Sequence, residues 1–335
     1  MKELQDIHEK SNGKDSLERL YADLELENLD ALWRREGDLL TPEPRGVGRP
    51  FLWKWGNLSP LIERAGHLVQ MKSGGGERRV IRLVNPTLEA PASTTHTISC
   101  TFQLLLPGES APRHRHTPSA IRFIASGEGA YTQIEGQRVE MKLNDLILTP
   151  SWAWHEHGNP TTQPILWIDA VDSPLVLRLK SMFFQPWSSM EEGGGETQGE
   201  NSTFPIIYRW QDVESLLEKK RVEESPYDGI IHYYTNPVTG GRATLPTISC
   251  SIQRLEPNRK TREHRHLSSV IYYVVRGKGK TNVGDEVLTW NQGDVFMLPV
   301  WSWHAHVALN EHAVLFALSD RPVMEAFGWY REEGK

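Results

Sequence analysis

Along most of the chain, apolar positions come in short runs or alternate with polar ones, and neither pattern lasts long enough for a long helix. Residues 120–125, 137–141, 146–149, 270–275 and 295–298 are runs of this kind. Gly, Asn, Asp and Pro interrupt them at roughly 8–12 residue intervals, the spacing of an all-β sandwich or barrel. Helical periodicity is expected in two places, over 17–35, where Leu17, Leu20, Tyr21 and Leu24 recur at helical spacing, and over 212–221. Both read as attachments that pack or join copies of the chain, not as sites.

The pattern also repeats. TISCTFQ at 97–103 returns as TISCSIQ at 247–253, an offset of 150 residues, and His-Arg-His returns at the same offset. So do Gly127 and Gly129, as Gly277 and Gly279. PSWAWHEH from Pro150 is answered by PVWSWHAH from Pro299, and Asp172-Ser-Pro by Asp320-Arg-Pro. The chain is a tandem duplication. The expected organisation is an N-terminal arm with helix at 1–85, a first copy at 86–190, a Gly-rich, charged, flexible linker at 191–202, and a second copy with a short helical attachment at 203–335.

Composition removes several classes of function. The 335 residues hold 37 Lys and Arg against 43 Asp and Glu, a formal charge of −6 with no long block of either sign. That argues against a dedicated binder of nucleic acid or anionic membranes. Apolar runs such as Leu104 to Leu106 are too short to span a bilayer, and the opening MKELQDIHEK lacks the apolar stretch of a signal peptide. A soluble, cytoplasmic protein is expected. Cys100 and Cys250 are too few for a disulfide framework and should be buried and reduced. The triple glycines at 74–76 and 193–195 lack the Lys-Ser/Thr ending of a phosphate loop, and no Gly-x-Ser-x-Gly elbow is present.

The chemistry lies in the histidines. Eight of thirteen fall in four His-x-His pairs: His114/His116, His155/His157, His264/His266 and His304/His306. On a strand, residues i and i+2 project from one face. With His155 on a neighbouring strand, three imidazoles converge inside a small barrel and leave the opposite coordination positions open. Imidazole suits iron, zinc, copper and nickel alike, so the donor set leaves the metal open. One isolated pair reads equally well as a solvated surface strand; matched pairs in two copies favour a metal site. If the strand runs unbroken past Pro118, Arg122 shares the parity of the histidines and faces inward, where a guanidinium pairs with a carboxylate. His157 shares the parity of His155 and can donate to the same anion. The four tryptophans Trp152, Trp154, Trp301 and Trp303 are expected to fill the barrel cores.

Gly108 opens G-x5-H-x-H, and the stretch after Asn144 reads x5-P-x-W-x2-H-x3-N. These resemble the two motifs of the cupin superfamily, which implies double-stranded β-helix (jelly-roll) barrels with the metal inside. The glutamate usual in the first motif is replaced by Ala120 and Ile121, so three histidines and no carboxylate are implied. DLLTPEPRG from Asp38, FLWKW from Phe51, ERRVIRLVNP from Glu77, HRHTPSAIRFI from His114, GAYTQIEG from Gly129, LILTPSWAWHEHGN from Leu146 and WIDAVDSPLV from Trp167 follow in matching order and spacing. Together they resemble the gentisate 1,2-dioxygenase family, bicupin ring-cleaving enzymes that include salicylate and 1-hydroxy-2-naphthoate dioxygenases.

The resemblance implies an all-β bicupin with a partly helical N-terminal arm, assembled as a homotetramer. It implies Fe(II) on His114, His116 and His155, catalytic roles for Arg122, His157 and Asp169, and Gln103 in the substrate pocket with one of Arg78 and Arg79. Three neutral imidazoles leave Fe(II) its full charge, which a 2-hydroxybenzoate offsets by chelating through carboxylate and phenolate, with one position left for O2. The implied reaction inserts both oxygen atoms between the carboxyl-bearing and adjacent hydroxyl-bearing ring carbons, turning gentisate into maleylpyruvate. Gentisate-type members commonly carry Trp-Ala-Gly where this chain has Ser99, Cys100 and Thr101. Ser99 and Thr101 share a face with Gln103 and are expected to touch substrate. Salicylate, a 5-substituted salicylate such as 5-nitrosalicylate, and 1-hydroxy-2-naphthoate are therefore alternatives. The resemblance implies metal in the first barrel only, although His264, His266 and His304 complete a second set. With Tyr272 and Ala308 in place of Arg122 and Asn159, no catalysis is expected there. A non-catalytic metal-binding bicupin is the alternative of another class, and it has no need of Arg122 and His157 aimed at the metal.

Overall fold

The computed structural model describes residues 13–71, 78–89, 93–188, 206–220 and 225–335; the expected linker at 191–202 lies outside them. By packing, the chain divides into two units, Met1–Arg45 and Gly46–Lys335. In the first unit α1 spans Gly13–Leu26 and stops short of the expected end at 35. Asn28 takes a left-handed φ of 55°. The Leu29 N–H reaches back to the Leu24 carbonyl at 2.8 Å and the Asn28 N–H to that of Glu25 at 3.1 Å, a Schellman closure. A 3-10 turn at Leu32–Arg34 and the short α2 at Glu36–Leu39 follow.

The second unit opens with β1 at Phe51–Trp53, α3 at Trp55–Leu68 and β2 at Val80–Arg82. The first copy then runs through β3 Ser99–Leu105, β4 Ser110–His116, β5 Ala120–Ser126, β6 Tyr131–Ile134, β7 Gln137–Glu140, β8 Leu146–Thr149, β9 His155–Gly158, β10 Ile165–Val171, α4 Ser173–Arg178 and β11 Phe184–Pro186. After β12 at Ile207–Tyr208, α5 at Trp210–Lys219 and β13 at Ile230–Tyr234, the second copy repeats the order. It comprises β14 Ser249–Leu255, β15 His264–His266, β16 Val270–Arg276, β17 Lys278–Val283, β18 Glu286–Asn291, β19 Val295–Leu298, β20 His304–Ala308, β21 Ala313–Ser319, α6 Arg321–Ala326 and β22 Glu332–Gly334. Each copy is a six-stranded sheet facing a five-stranded one, in the orders β12-β8-β5-β10-β3-β2 with β11-β4-β9-β6-β7, and β1-β19-β16-β21-β14-β13 with β18-β17-β20-β15-β22.

α3 answers to no expected helix. Its buried stripe is only Leu58 and Ile62, and Pro60 inside it reads along the sequence as a breaker. No helix among the described residues is long and apolar enough to cross a membrane.

The six-stranded sheets are buried on both faces. Outward residues of the first, among them Cys100, Phe102, Phe123 and Ile168, share one core with Cys250, Ile252, Met297 and Phe316 of the second. Phe123 stacks on Phe316 with ring centroids 4.2 Å apart. The inward residues build two separate interiors, around Ile124, Ile147 and Trp167 in one copy and Val274, Trp290 and Phe296 in the other. Cys100 and Cys250 are free and buried, as expected.

The copies are also cross-linked in a reciprocal way. β1, which precedes the first copy and was expected in the arm, pairs with β19 of the second; β12, which precedes the second copy, pairs with β8 of the first. After each of these strands a helix begins on a carboxylate of the other copy. The Trp55 N–H donates to Asp294 Oδ1 at 2.7 Å and the Trp210 N–H to Asp145 Oδ1 at 2.9 Å. Beyond β10, Asp172 accepts from the Ser119 N–H at 2.9 Å and from Thr247 Oγ1 at 2.5 Å. Asp320 accepts from the Ser269 N–H at 2.9 Å and from Thr97 Oγ1 at 2.5 Å.

Candidate metal and anion site

β4 and β9 run antiparallel with His114 opposite His155. His116 shares the inner face of β4, and the ring centroids of His114 and His116 lie 4.1 and 4.8 Å from that of His155. Their ligand atoms all fall within 4.8 Å of one another. Each Nδ1 bonds to a backbone carbonyl: His114 to Pro112 at 2.6 Å, His116 to Pro118 at 2.7 Å, His155 to Ala153 at 2.9 Å. A carbonyl only accepts, so each Nδ1 carries the proton and each Nε2 keeps a lone pair. Burial, reinforced by the nearby Arg78, holds His114 down at about 3 and His116 at about 4. Burial also pulls His155 well below the ordinary range. All three are neutral, ligand-competent imidazoles near pH 7, and the buried Nε2 of His155 has no hydrogen-bond partner. This donor set fits a divalent transition ion.

Arg122 arrives by a different route from the one parity suggests. The strand does not continue past Pro118; β4 and β5 belong to different sheets. Arg122 faces inward because its neighbours Ile121 and Phe123 face the core between the copies. It opposes Asp169 of β10, with Nε 3.2 Å from Asp169 Oδ1 in a buried ion pair, and donates to Thr149 Oγ1. Asp169 Oδ2 accepts from Trp167 Nε1 at 2.8 Å. Burial raises Asp169, and the Arg122 charge opposes that rise.

Arg78 and Arg79 divide cleanly. Arg78 makes a hydrogen bond to His114 Nε2 and lies near the Phe184 ring at the barrel mouth. Burial, with the like charge of Arg122, brings it down to about 10. Arg79 is spent on structure: both its terminal nitrogens bond Glu109 at 2.8 Å. Ser99, Thr101 and Gln103 all lie on the inward face of β3, and Thr101 is opposite Asp169. His157 sits beside His155 on β9, its ring 5.7 Å from that of Trp167.

The result is a concentration of unsatisfied polar atoms. Gln103 Nε2, Arg122 Nε, His155 Nε2, His157 Nδ1 and Asp169 Oδ1 are all buried without a hydrogen bond. Arg122 Nε and Asp169 Oδ1 face each other in the ion pair, but buried polar atoms are nearly always satisfied, so the three that remain on one barrel's inner wall call for a polar ligand. Thr149 and Trp167, which position Arg122 and Asp169, were not expected; only the i+2 spacing of Trp167 and Asp169 hinted at the second.

The WxWH tryptophans do not fill the barrel. Trp152 is 38% exposed with a left-handed φ of 65°. It and Trp154 flank the outward Arg115, whose guanidinium carbon lies 4.5 and 4.4 Å from their rings. Trp301 and Trp303 flank Arg265 in the same way, at 4.4 and 4.8 Å. Aromatic faces attract a guanidinium, and the inward parity here belongs to the histidine.

The cupin domain family matches residues 101–171 and 251–319. A 5-aminosalicylate 1,2-dioxygenase of a Comamonas species is 40% identical, with 95% of this chain and 90% of that protein covered. A gentisate 1,2-dioxygenase of Aquipseudomonas alcaligenes is 33% identical over 93% of this chain and 94% of its own length. The crystal structure of salicylate 1,2-dioxygenase from Pseudoaminobacter salicylatoxidans with gentisate superposes with a TM-score of 0.86 at 31% identity, covering 98% of this chain and 96% of that one.

Proposed function

The chain belongs to the gentisate 1,2-dioxygenase family of bicupin ring-cleaving oxidoreductases, and from that premise we propose that it opens the ring of a 2-hydroxybenzoate at its first barrel, with gentisate the leading substrate. The supporting observation is the set of unspent buried polar atoms around a histidine triad flanked by two arginines. With Asp169 paired to Arg122, a neutral or cationic ligand would still leave the charge of Arg78 uncompensated there, whereas a carboxylate offsets it. Ferrous iron held by His114, His116 and His155 supplies, when bound, a Lewis-acidic and redox-active centre beside the electron-rich ring.

The chain's own residues do the rest. Arg122 and Arg78 bind the substrate carboxylate; Asp169, fixed by Trp167, holds the Arg122 guanidinium in place. His157 and Gln103 donate hydrogen bonds to the same anion. Burial keeps the triad unprotonated and excludes water. Ser99 and Thr101 present hydroxyls to the ring, where they bond a polar 5-substituent. In the balanced reaction, the O–O bond and one ring carbon–carbon bond break, two carbon–oxygen bonds form, O2 takes up four electrons and no atom leaves. A homotetramer in solution is part of the same proposal.

A second substrate, 5-aminosalicylate, is favoured by the relative at 40% identity. Oxygen uptake by protein loaded with Fe(II) under anaerobic conditions tests both. We expect kcat/KM for gentisate or 5-aminosalicylate to exceed that for salicylate by about 100-fold or more, since a site built to bond a polar group rejects the analogue lacking it. If 5-nitrosalicylate, 5-halosalicylates or 1-hydroxy-2-naphthoate are cleaved as well as gentisate, Ser99 and Thr101 only open space. No oxygen consumption with any of them would leave a non-catalytic metal-binding bicupin.

A further inference from the structure

We propose that the second barrel holds its own divalent transition-metal ion on His264, His266 and His304, in a pocket of net negative charge with Asp228 facing it, and closed to anionic substrates. The inference goes beyond the first-barrel reading and departs from the expectation of a single ion.

The clustering of the rings repeats that of the first triad, and two of the three imidazoles are anchored as there, while His264 Nδ1 is buried without a partner. The ligand atoms of His264, His266 and His304 lie within 4.8 Å of one another. Ring centroids of His264 and His304 are 4.1 Å apart and those of His266 and His304 5.1 Å. The Nδ1 atoms of His266 and His304 bond the carbonyls of Ser268 at 3.0 Å and Ser302 at 2.8 Å. Their Nε2 lone pairs are thereby turned to the common point, as in the first barrel. His304 is 2% exposed, and its Nε2 has no hydrogen-bond partner. An unspent imidazole lone pair aimed at two other imidazoles is what a metal ligand requires.

What surrounds the triad is inverted in charge. Val80 lies opposite Gln103 as Ile231 lies opposite Gln253, so the counterpart of Arg78 is Gly229, adjacent to Asp228. Phe184 lies opposite His116 as Glu332 lies opposite His266. The pair Arg122 and Asp169 has become Tyr272 and Ala317, which again face each other. Asp228, Glu332, Tyr272, His264 and His266 line one cavity. Arg321 also lines it, with its Nε on Glu325 at 2.7 Å and its guanidinium over the Tyr330 ring. Two arginines and one carboxylate around the first triad leave an excess of positive charge that a substrate anion must offset. Two carboxylates and one arginine around the second leave an excess of negative charge, which suits a cation and not a substrate anion. His306, the counterpart of His157, is tied to Thr281 Oγ1 at 2.9 Å and does not present a free Nδ1.

The test is a metal count on full-length protein stripped with chelator, reloaded with Fe(II) anaerobically and desalted. The proposal expects two ions per chain in wild type, one in His155→Ala and one in His304→Ala, with oxygen uptake lost only in the former. Asp228→Asn should weaken retention of the second ion at least tenfold. Should His304→Ala fail to fold, Fe(II) titration of His155→Ala, whose second barrel is untouched, must still raise its melting temperature and bind one ion. One ion per chain in wild type, or none in His155→Ala, overturns the proposal. Because the readout is stoichiometry, that failure leaves first-barrel turnover measurable and separately decided.

Discussion

Arg122 approaches the triad from β5 and Arg78 from the segment just before β2, and truncating either should separate anion binding from metal binding. Arg122→Met removes one member of a buried, hydrogen-bonded charge pair, a change that costs about 2–5 kcal/mol in comparable settings. We therefore expect kcat/KM to fall by about 30-fold to several thousandfold while iron content stays at the wild-type level; an unchanged KM would exclude Arg122 from the pocket. Arg78→Met should behave in the same sense. Arg79→Met should instead act on stability, because Arg79 bonds Glu109 and the Val69 and Leu104 carbonyls. Glu109 is partly exposed, so a loss of about 1–3 kcal/mol in denaturant unfolding is expected with little change in KM. Adjacent arginines are indistinguishable in a sequence. Which one turns inward depends on how β2 meets β3, and that is a tertiary fact.

At the scale of elements, β3 explains why the strand pattern was easy to find and hard to orient. All seven of its residues are buried, so no polar face marks the outside; the polar residues Ser99, Thr101 and Gln103 mark the inside. Turns are more literal. Glu135 and Gly136, with φ of 45° and 80°, close the two-residue hairpin between β6 and β7. Gly127 has a φ of 81°, and a Cβ there would sit 2.5 Å from the Pro164 carbonyl oxygen, whereas at Gly136 it would meet nothing within 4 Å. Left-handed strain alone costs an L-residue about 1–2 kcal/mol, and a backbone clash adds about 1–3. Gly136→Ala should thus lower stability by about 1 kcal/mol and Gly127→Ala by about 2–4, compared by denaturant midpoints; equal losses would show that the Gly127 backbone yields.

Across the whole molecule, the two copies are held by paired devices, and one of them responds to pH. Burial pushes Asp172 up from 3.8 to about 6, against the pull of its bonds to Thr247 and Ser119. Between about pH 4 and 6 the folded state therefore holds a proton that the unfolded chain has released, so this group's contribution falls as pH rises through that window. The shift corresponds to about 2–3 kcal/mol. Asp172→Asn keeps an acceptor for Ser119 and removes the ionisation, so relative to wild type it should gain about that much stability between pH 4 and pH 7. Parallel unfolding curves for the two proteins across this range would show that Asp172 titrates normally.

Duplication, strand spacing, the histidine triads and the cupin pattern were all readable from residue order, because each rests on local periodicity or on a motif whose spacing the pleat of a strand imposes. Tertiary structure decided what depends on meetings between distant segments. Pro60 hid α3, whose helical state rests on packing Leu58 and Ile62 against a shared core. Arg122 points inward because of which sheet β5 joins, not because of its distance along the chain from His116. Trp152 and Trp154 lie outside because strand parity gives the interior to His155. The charge inversion between the barrels appears only in register, where Glu332, 66 residues beyond His266 in the chain, comes to lie opposite it. Residue order carries the chemistry of each copy, and the pairing of far-apart strands determines which charges surround each histidine triad.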